Sequence, residues 1–255
     1  MVHVLSTPAP QAPNLILVQR HANFEKDAKA HLTDCVEFGH HNYESGVGYQ
    51  GVQGNFRGVP VIMVYQDGPF TLPASYRWPL WAKQDLGAER IISLMLMPRL
   101  DPSLKLGQVV VADSAHLLAN EDTHHLIRLA IDLPKGNLSS VPDRVLEHHV
   151  LSELSTVGAP HIAGPVLSLL RDDTSCLEPD ELDRWQKQGA LAQDVMSYAF
   201  YLQAKACGVQ MVSLGLTVAA IGEQDGDYDP CGHFSVATFA ALRTLSELQI
   251  RATPF

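Results

Sequence analysis

Positive charge is scarce in this sequence: 18 Lys and Arg stand against 28 Asp and Glu, a formal net charge of −10. That balance weighs against binding to a nucleic-acid backbone, where Lys and Arg must displace condensed counterions. Cysteine is sparse as well. Cys35, Cys176, Cys207 and Cys231 are widely spaced with no CxxC pair, which fits reduced thiols and not a disulfide framework. No apolar run reaches the roughly 18 to 20 residues that a membrane span needs. The opening stretch MVHVLSTPAPQAPN lacks a basic region followed by an apolar block, so residues 1–13 read as a Pro-rich arm and not as a secretion signal. A cytoplasmic protein with neither a nucleic-acid nor a membrane partner is the expectation.

Short chemical signatures are missing too. There is no GxSxG to expose a nucleophilic serine, and no GxGxxG or GxxxxGK[ST] loop to cradle a phosphate. Twelve histidines raise the question of a metal, and six of them fall in adjacent pairs, His40/His41, His124/His125 and His148/His149. Neighbours point about 100° apart on a helix and to opposite faces on a strand, so such pairs rarely serve one ion. No HExxH or Cys/His zinc spacing accompanies them, and no metal is expected. The acidic run Asp225–Asp229 lacks the ligand ladder and closing Glu of a calcium loop and reads as a solvated segment.

What is present is alternation. Apolar runs bounded by Gly, Pro or Asp read as buried strands at 14–18, 59–65, 90–96, 107–112 and 209–219. Helical character falls at 72–86, interrupted by Pro79, at 179–188, at 191–206 with a stop at Gly208, and at 234–249. The glycines of 46–58 are taken as turns ahead of a strand. Residues 119–156 show little periodicity and no clear linker. Strand–helix alternation over 255 residues predicts one α/β domain spanning 1–255, with three layers and a central mixed, largely parallel sheet flanked by helices. Tyr76, Trp78 and Trp81 suit the core better than a subunit contact.

Several segments, in order, resemble the nucleoside phosphorylases and related nucleosidases. A Gly turn, an apolar strand and a helix ending in Leu86-Gly87 are followed by a strand carrying Leu106, Gly107, Val109 to Val111 and Asp113. Ala163-Gly164-Pro165 then matches the strand that leads into the family's base pocket. Residues 186–217 follow its helix–strand block without a gap, and Cys231 to Val236 resembles the C-terminal helix of the trimeric purine type. Together these segments span about four-fifths of the chain. The resemblance implies a nucleoside-like ligand, phosphate as a possible co-substrate, no other cofactor, and a homo-oligomer.

The chemistry of that family sets requirements that can be checked residue by residue. Cleaving an N-glycosidic bond passes through an oxocarbenium-like sugar. A proton must reach the departing base from a suitable side chain, and the ribose must be held in a near-attack geometry. By the resemblance, the ribose-contacting Met corresponds to Val195 and the ribose-binding Glu to Met196, with Asp194 two positions earlier and Ser197 retained. The base-binding Glu falls near Ser168, and the Asn or Asp that handles the base falls at Val218, whose side chain can neither donate nor accept a proton.

The phosphate-facing turns also depart from the pattern. The Gly-rich first turn is replaced by Val18-Gln19-Arg20-His21, and a second turn by Met97-Pro98-Arg99. Arg20 and Arg99 are candidates to bind phosphate or carboxylate, because guanidinium forks onto such anions; a surface ion pair is the plainer alternative. His233 keeps the place of a His near the sugar 5′ position. Two readings follow. In one, the chain binds a nucleoside or a related molecule and cleaves it with rearranged residues. In the other, it is a catalytically inactive binding or assembly protein.

Overall fold

The computed structural model describes residues 11–19, 29–42, 47–67, 72–118, 139–169, 179–219 and 230–252. Its centre is β1 (Asn14–Gln19), which pairs in parallel with both β4 (Val59–Asp67) and β5 (Arg90–Pro98). Side chains alternate along β1: Leu15 and Leu17 enter one apolar cluster, Ile16 and Val18 the other. A strand buried on both faces must be apolar at every position. That is why the runs 14–18, 59–65 and 90–96 carry so few polar residues.

Outward from β4 the chain forms an antiparallel meander, β2 (Thr33–Asn42) against β3 (Val47–Phe56) against β4. On the other side of β5 lie β10 (Gln210–Val218), parallel to it, and then β6 (Val109–Leu117), antiparallel to β10. Parallel pairing resumes with β8 (His161–Ser168) and the three-residue β9 (Ala192–Asp194). The short β7 (Ser139–Ser140) adds to β6. The sheet is therefore mixed, with order β2-β3-β4-β1-β5-β10-β6-β8-β9.

Its far end curls back on itself. Arg99, just past β5, bridges Ala192 of β9, and the amides of Leu100 and Asp101 donate to the Leu191 carbonyl at 2.9 and 3.1 Å. Five strands, β5, β10, β6, β8 and β9, thereby close into a ring. Two glycines make the closure possible: a Cβ on Gly215 would lie 2.1 Å from Met97 Sδ, and one on Gly164 would lie 2.5 Å from Leu191 Cδ1.

Helices cover both faces. On one side α1 (Leu72–Leu86) packs against α4 (Ser197–Cys207), through residues such as Trp78, Ala82, Phe200 and Ala204. Lys83 Nζ donates to the Cys207 carbonyl at 2.5 Å where α4 ends at Gly208, whose φ of 70° suits a glycine stop. On the other side α2 (Arg144–Thr156) packs against α5 (Cys231–Ala252), burying Leu146, Val150, Leu154 and Leu245. Asp143 caps α2 by accepting from the Leu146 amide at 2.9 Å. The remaining helix, α3 (Pro179–Lys187), leads into β9.

The three-layer α/β architecture and mixed sheet are as the sequence predicts, and helix 72–86 holds its bounds with Pro79 inside it. Four local readings change. Of the glycines of 46–58, Gly48, Gly51 and Gly54 lie within strand β3, and a turn follows at Arg57-Gly58. Gly51 there is needed for space, since a Cβ would meet Phe38 Cζ at 2.4 Å and the Met63 carbonyl at 2.7 Å. Residues 33–42 are a strand that was not expected, and 144–156, within the weakly periodic stretch, are a helix. The segment 191–206 is not one helix: it opens as β9, and the helix starts at Ser197. Arg20, His124, His125, Asp225 to Asp229 and most of the Pro-rich arm lie outside the described residues. Of the three aromatics on α1, Trp78 is buried, and Tyr76 and Trp81 pack against the same core.

Candidate functional site

A cavity opens where β5 and β9 end and α4 begins. Its apolar wall is Met95, Leu96, Pro98, Leu169, Val195 and Met196, its polar part is Gln193 and Asp194, and about 30 Å³ is free within it. Ligand sites of α/β sheets form at such carboxyl ends, where chain turns converge on helix N-termini. The position follows from ring closure: β9 reaches this place only because it pairs with β8 on one side and Arg99 on the other.

Asp194 is the chemical centre of this region, and it is fully engaged by the protein. Its Oδ1 accepts from Ser168 Oγ at 2.6 Å and from the Met196 and Ser197 amides at 3.1 and 3.2 Å. Its Oδ2 accepts from the Ser197 amide at 3.3 Å and from the Ser197 hydroxyl. Ser168 Oγ in turn accepts from the Tyr198 amide at 3.1 Å. The first amides of a helix have no intrahelical acceptor, and here a carboxylate at the end of a strand supplies one. The negative charge also sits at the favourable end of the α4 dipole. Burial nonetheless dominates and raises the Asp194 carboxyl above its ordinary range, with the hydrogen bonds from Ser168 and Ser197 and the two amides opposing that rise.

Gln193 presents the opposite case. It is 2% exposed, lines the cavity, and its Oε1 has no hydrogen-bond partner among the described residues. A buried acceptor left unpaired costs about 1–3 kcal/mol. Its signal in the sequence is faint, an amide inside the apolar stretch Ala190 to Val195 that is otherwise broken only by Asp194.

Asp194, Val195, Met196, Ser168 and Ser197 are brought together by the fold, the first three on the cavity wall and the two serines behind it on Asp194. Val218 and Arg99 form a second group beside them. The Arg99 amide donates to the Val218 carbonyl at 3.2 Å, and Val218 pairs with Pro98. The Arg99 guanidinium reaches away to the Leu104 carbonyl at 2.8 Å, holding the loop after β5. Thr217 fastens the same loop through its hydroxyl, at 2.5 Å from the Lys105 carbonyl and 3.1 Å from that of Gln108. His233 is exposed in the first turn of α5 and does not line the cavity. His116 lies against Trp185, with ring centroids 5.5 Å apart and planes tilted by 41°. Burial lowers the His116 pKa, and Asp113 works against that shift.

No family model matches this sequence, and no curated protein matches it. Solved structures do resemble it. Uridine phosphorylase from Vibrio fischeri, complexed with 6-hydroxy-1-naphthoic acid, superposes with a TM-score of 0.74 at 18% identity, covering 93% of this chain and 92% of that one. The 5′-methylthioadenosine/S-adenosyl homocysteine nucleosidase of Campylobacter jejuni gives 0.72 at 14% identity, covering 92% of this chain and 100% of that one. This chain therefore shares its α/β fold with both of these proteins. At such identities the likeness is one of fold, and function has to be argued from the site itself.

Proposed function

We propose that this protein uses the cavity at the ends of β5 and β9 to bind a nucleoside or a related neutral small molecule, and does not carry out standard phosphorolysis. One observation carries this reading. The carboxylate on the cavity wall, Asp194, is held by Ser168, Ser197 and the first amides of α4, and the residue beside the ligand space is the apolar Met196. Ribose hydroxyls need an acceptor, and a departing base needs a proton carrier. Val195 and Val218 can serve as neither, and the Met196 thioether is only a weak acceptor and carries no proton. Reduced contact with the sugar leaves binding as the retained role, in a cytoplasmic homo-oligomer.

The test is release of free base from a panel of purine and pyrimidine nucleosides, with and without inorganic phosphate, beside calorimetric titration of the same compounds. Binding without turnover is the expected result. Turnover at ordinary enzyme rates, about 1 s⁻¹ or faster, would overturn it. Cleavage through rearranged residues is the second reading, favoured by the place of the Asp194 carboxyl on the cavity wall, since a carboxyl within reach of a ligand can act as a general acid or base. A base-release rate that titrates and is abolished in Asp194→Asn would establish it.

A further inference from the structure

We infer that Gln193 sets the specificity of the cavity, selecting a neutral heterocycle that carries a hydrogen-bond donor and an acceptor on adjacent atoms; the inference rests on the small-molecule reading above. Its warrant is the pairing of two facts. Gln193 is almost wholly buried on the cavity wall, and its Oε1 is without a partner among the described residues. Most buried polar side chains are satisfied, and what sets Gln193 apart from other buried atoms without a partner, such as Ser75 Oγ and Thr238 Oγ1, is its place on a cavity wall, where a bound molecule can supply the missing group.

The chemistry of that group follows from the wall. A primary amide offers one acceptor and one donor side by side, so its complement is a ring N–H next to a carbonyl, or an amino group next to a ring nitrogen. The neighbouring carboxylate, Asp194, is saturated by Ser168, Met196 and Ser197. The rest of the lining, from Met95 and Leu96 to Leu169 and Met196, is apolar. An anion would be desolvated there beside the Asp194 carboxylate, and a cation would meet a carboxylate whose oxygens are already taken by Ser168, Met196 and Ser197, so the favoured ligand is uncharged. The free volume of about 30 Å³ holds a water molecule as the side chains stand. A ring requires Met95 and Met196 to swing aside, which unbranched thioether side chains do readily.

A site built to pair with an N–H discriminates strongly against an analogue that lacks it, because the amide is then left buried and unpaired. The experiment uses the full chain, with hypoxanthine against 1-methylhypoxanthine and adenine against N6,N6-dimethyladenine as matched probes, titrated by calorimetry. In the native protein each parent base is expected to bind at least tenfold more tightly than its methylated partner. Gln193→Leu should bring the parent base down to the level of the methylated one, while leaving the methylated one unchanged. Its melting temperature should hold or rise, since an unpaired polar atom is removed; Gln193→Met serves if the leucine variant does not fold. Equal binding of parent and methylated bases, or undiminished discrimination in the variant, would assign the amide to a bound water and overturn the inference. If nucleosides bind but neither parent base does, the inference fails alone; if no compound of either panel binds, the proposed function fails with it.

Discussion

The two halves of the sheet solve different problems. In the ring half, buried polar side chains recur on the strands: Ser93, Ser168, Gln193, Asp194, Ser213 and Thr217. In the meander half, none of the buried polar side chains among the described residues comes from β2, β3 or β4. There the first residues of β2, 33 to 37, lie open to solvent, with Val36 63% exposed and Asp34 at a positive φ beside a break in register. Burying a polar group is unfavourable unless it is hydrogen-bonded. A half that holds several, most of them satisfied across chain-distant partners, is the half in which polar geometry matters. The meander closes off the sheet; the ring shapes a site.

That contrast predicts where substitutions register. Asp194→Ala should have the largest effect, near 3 kcal/mol of lost stability in a denaturant titration, because it strands two amides and two hydroxyls in the interior. A loss below about 1 kcal/mol would mean that the Asp194 cluster does not organise the start of α4. Gly215→Ala comes next, at about 1–3 kcal/mol, since Met97 must vacate the space a Cβ would take. The Met97→Ala background should recover part of that loss.

Titration gives the third prediction. Burial lowers the His116 pKa, so between that lowered value and 6.5 the unfolded chain binds more protons than the folded one. Stability then falls as pH drops from 6.5 into that interval, and His116→Phe should flatten the slope there. Asp194 works in the opposite sense: with its folded value raised, stability falls as pH climbs from 3.8 through that raised value. Asp194→Asn should remove this acidic-side slope and leave the His116 slope in place. The smallest effect belongs to the meander: Val36→Thr on β2 should change stability by less than about 0.5 kcal/mol. A larger change would show that something covers that edge strand.

The sequence made the central strands plain because burial on both faces leaves a continuous apolar signature, as at 14–18 and 90–96. The exposed β2 and the Gly-interleaved β3 have no such signature. Their pairing with β4 decides them. Helix α2 did carry a readable stripe, Leu146, Val150 and Leu154, masked by the His, Ser and Glu residues between. Strand β9 was beyond local reading: three residues, Ala192 to Asp194, become a strand through β8 and Arg99. The same holds for the site. The resemblance pointed to Asp194, Met196 and Ser168 one by one, but only the fold shows Ser168 and Ser197 locking the carboxylate. Gln193 stands out only once its neighbours are known.

The bridge between Arg99 and Ala192 also carries a kinetic consequence. It joins segments far apart along the chain, so the entropy of closing that long loop is lost before the contact can stabilise anything. The cavity is therefore expected to be completed in folding after the sheet centre around β1, whose partners β4 and β5 lie nearer in sequence. The Leu100 amide, bonded to the Leu191 carbonyl, is the reporter: its hydrogen exchange should be faster than that of the β1 amides and should slow when the cavity is occupied. A ligand seated there acts as the clasp of the ring, and its affinity becomes legible as the lifetime of a single backbone hydrogen bond.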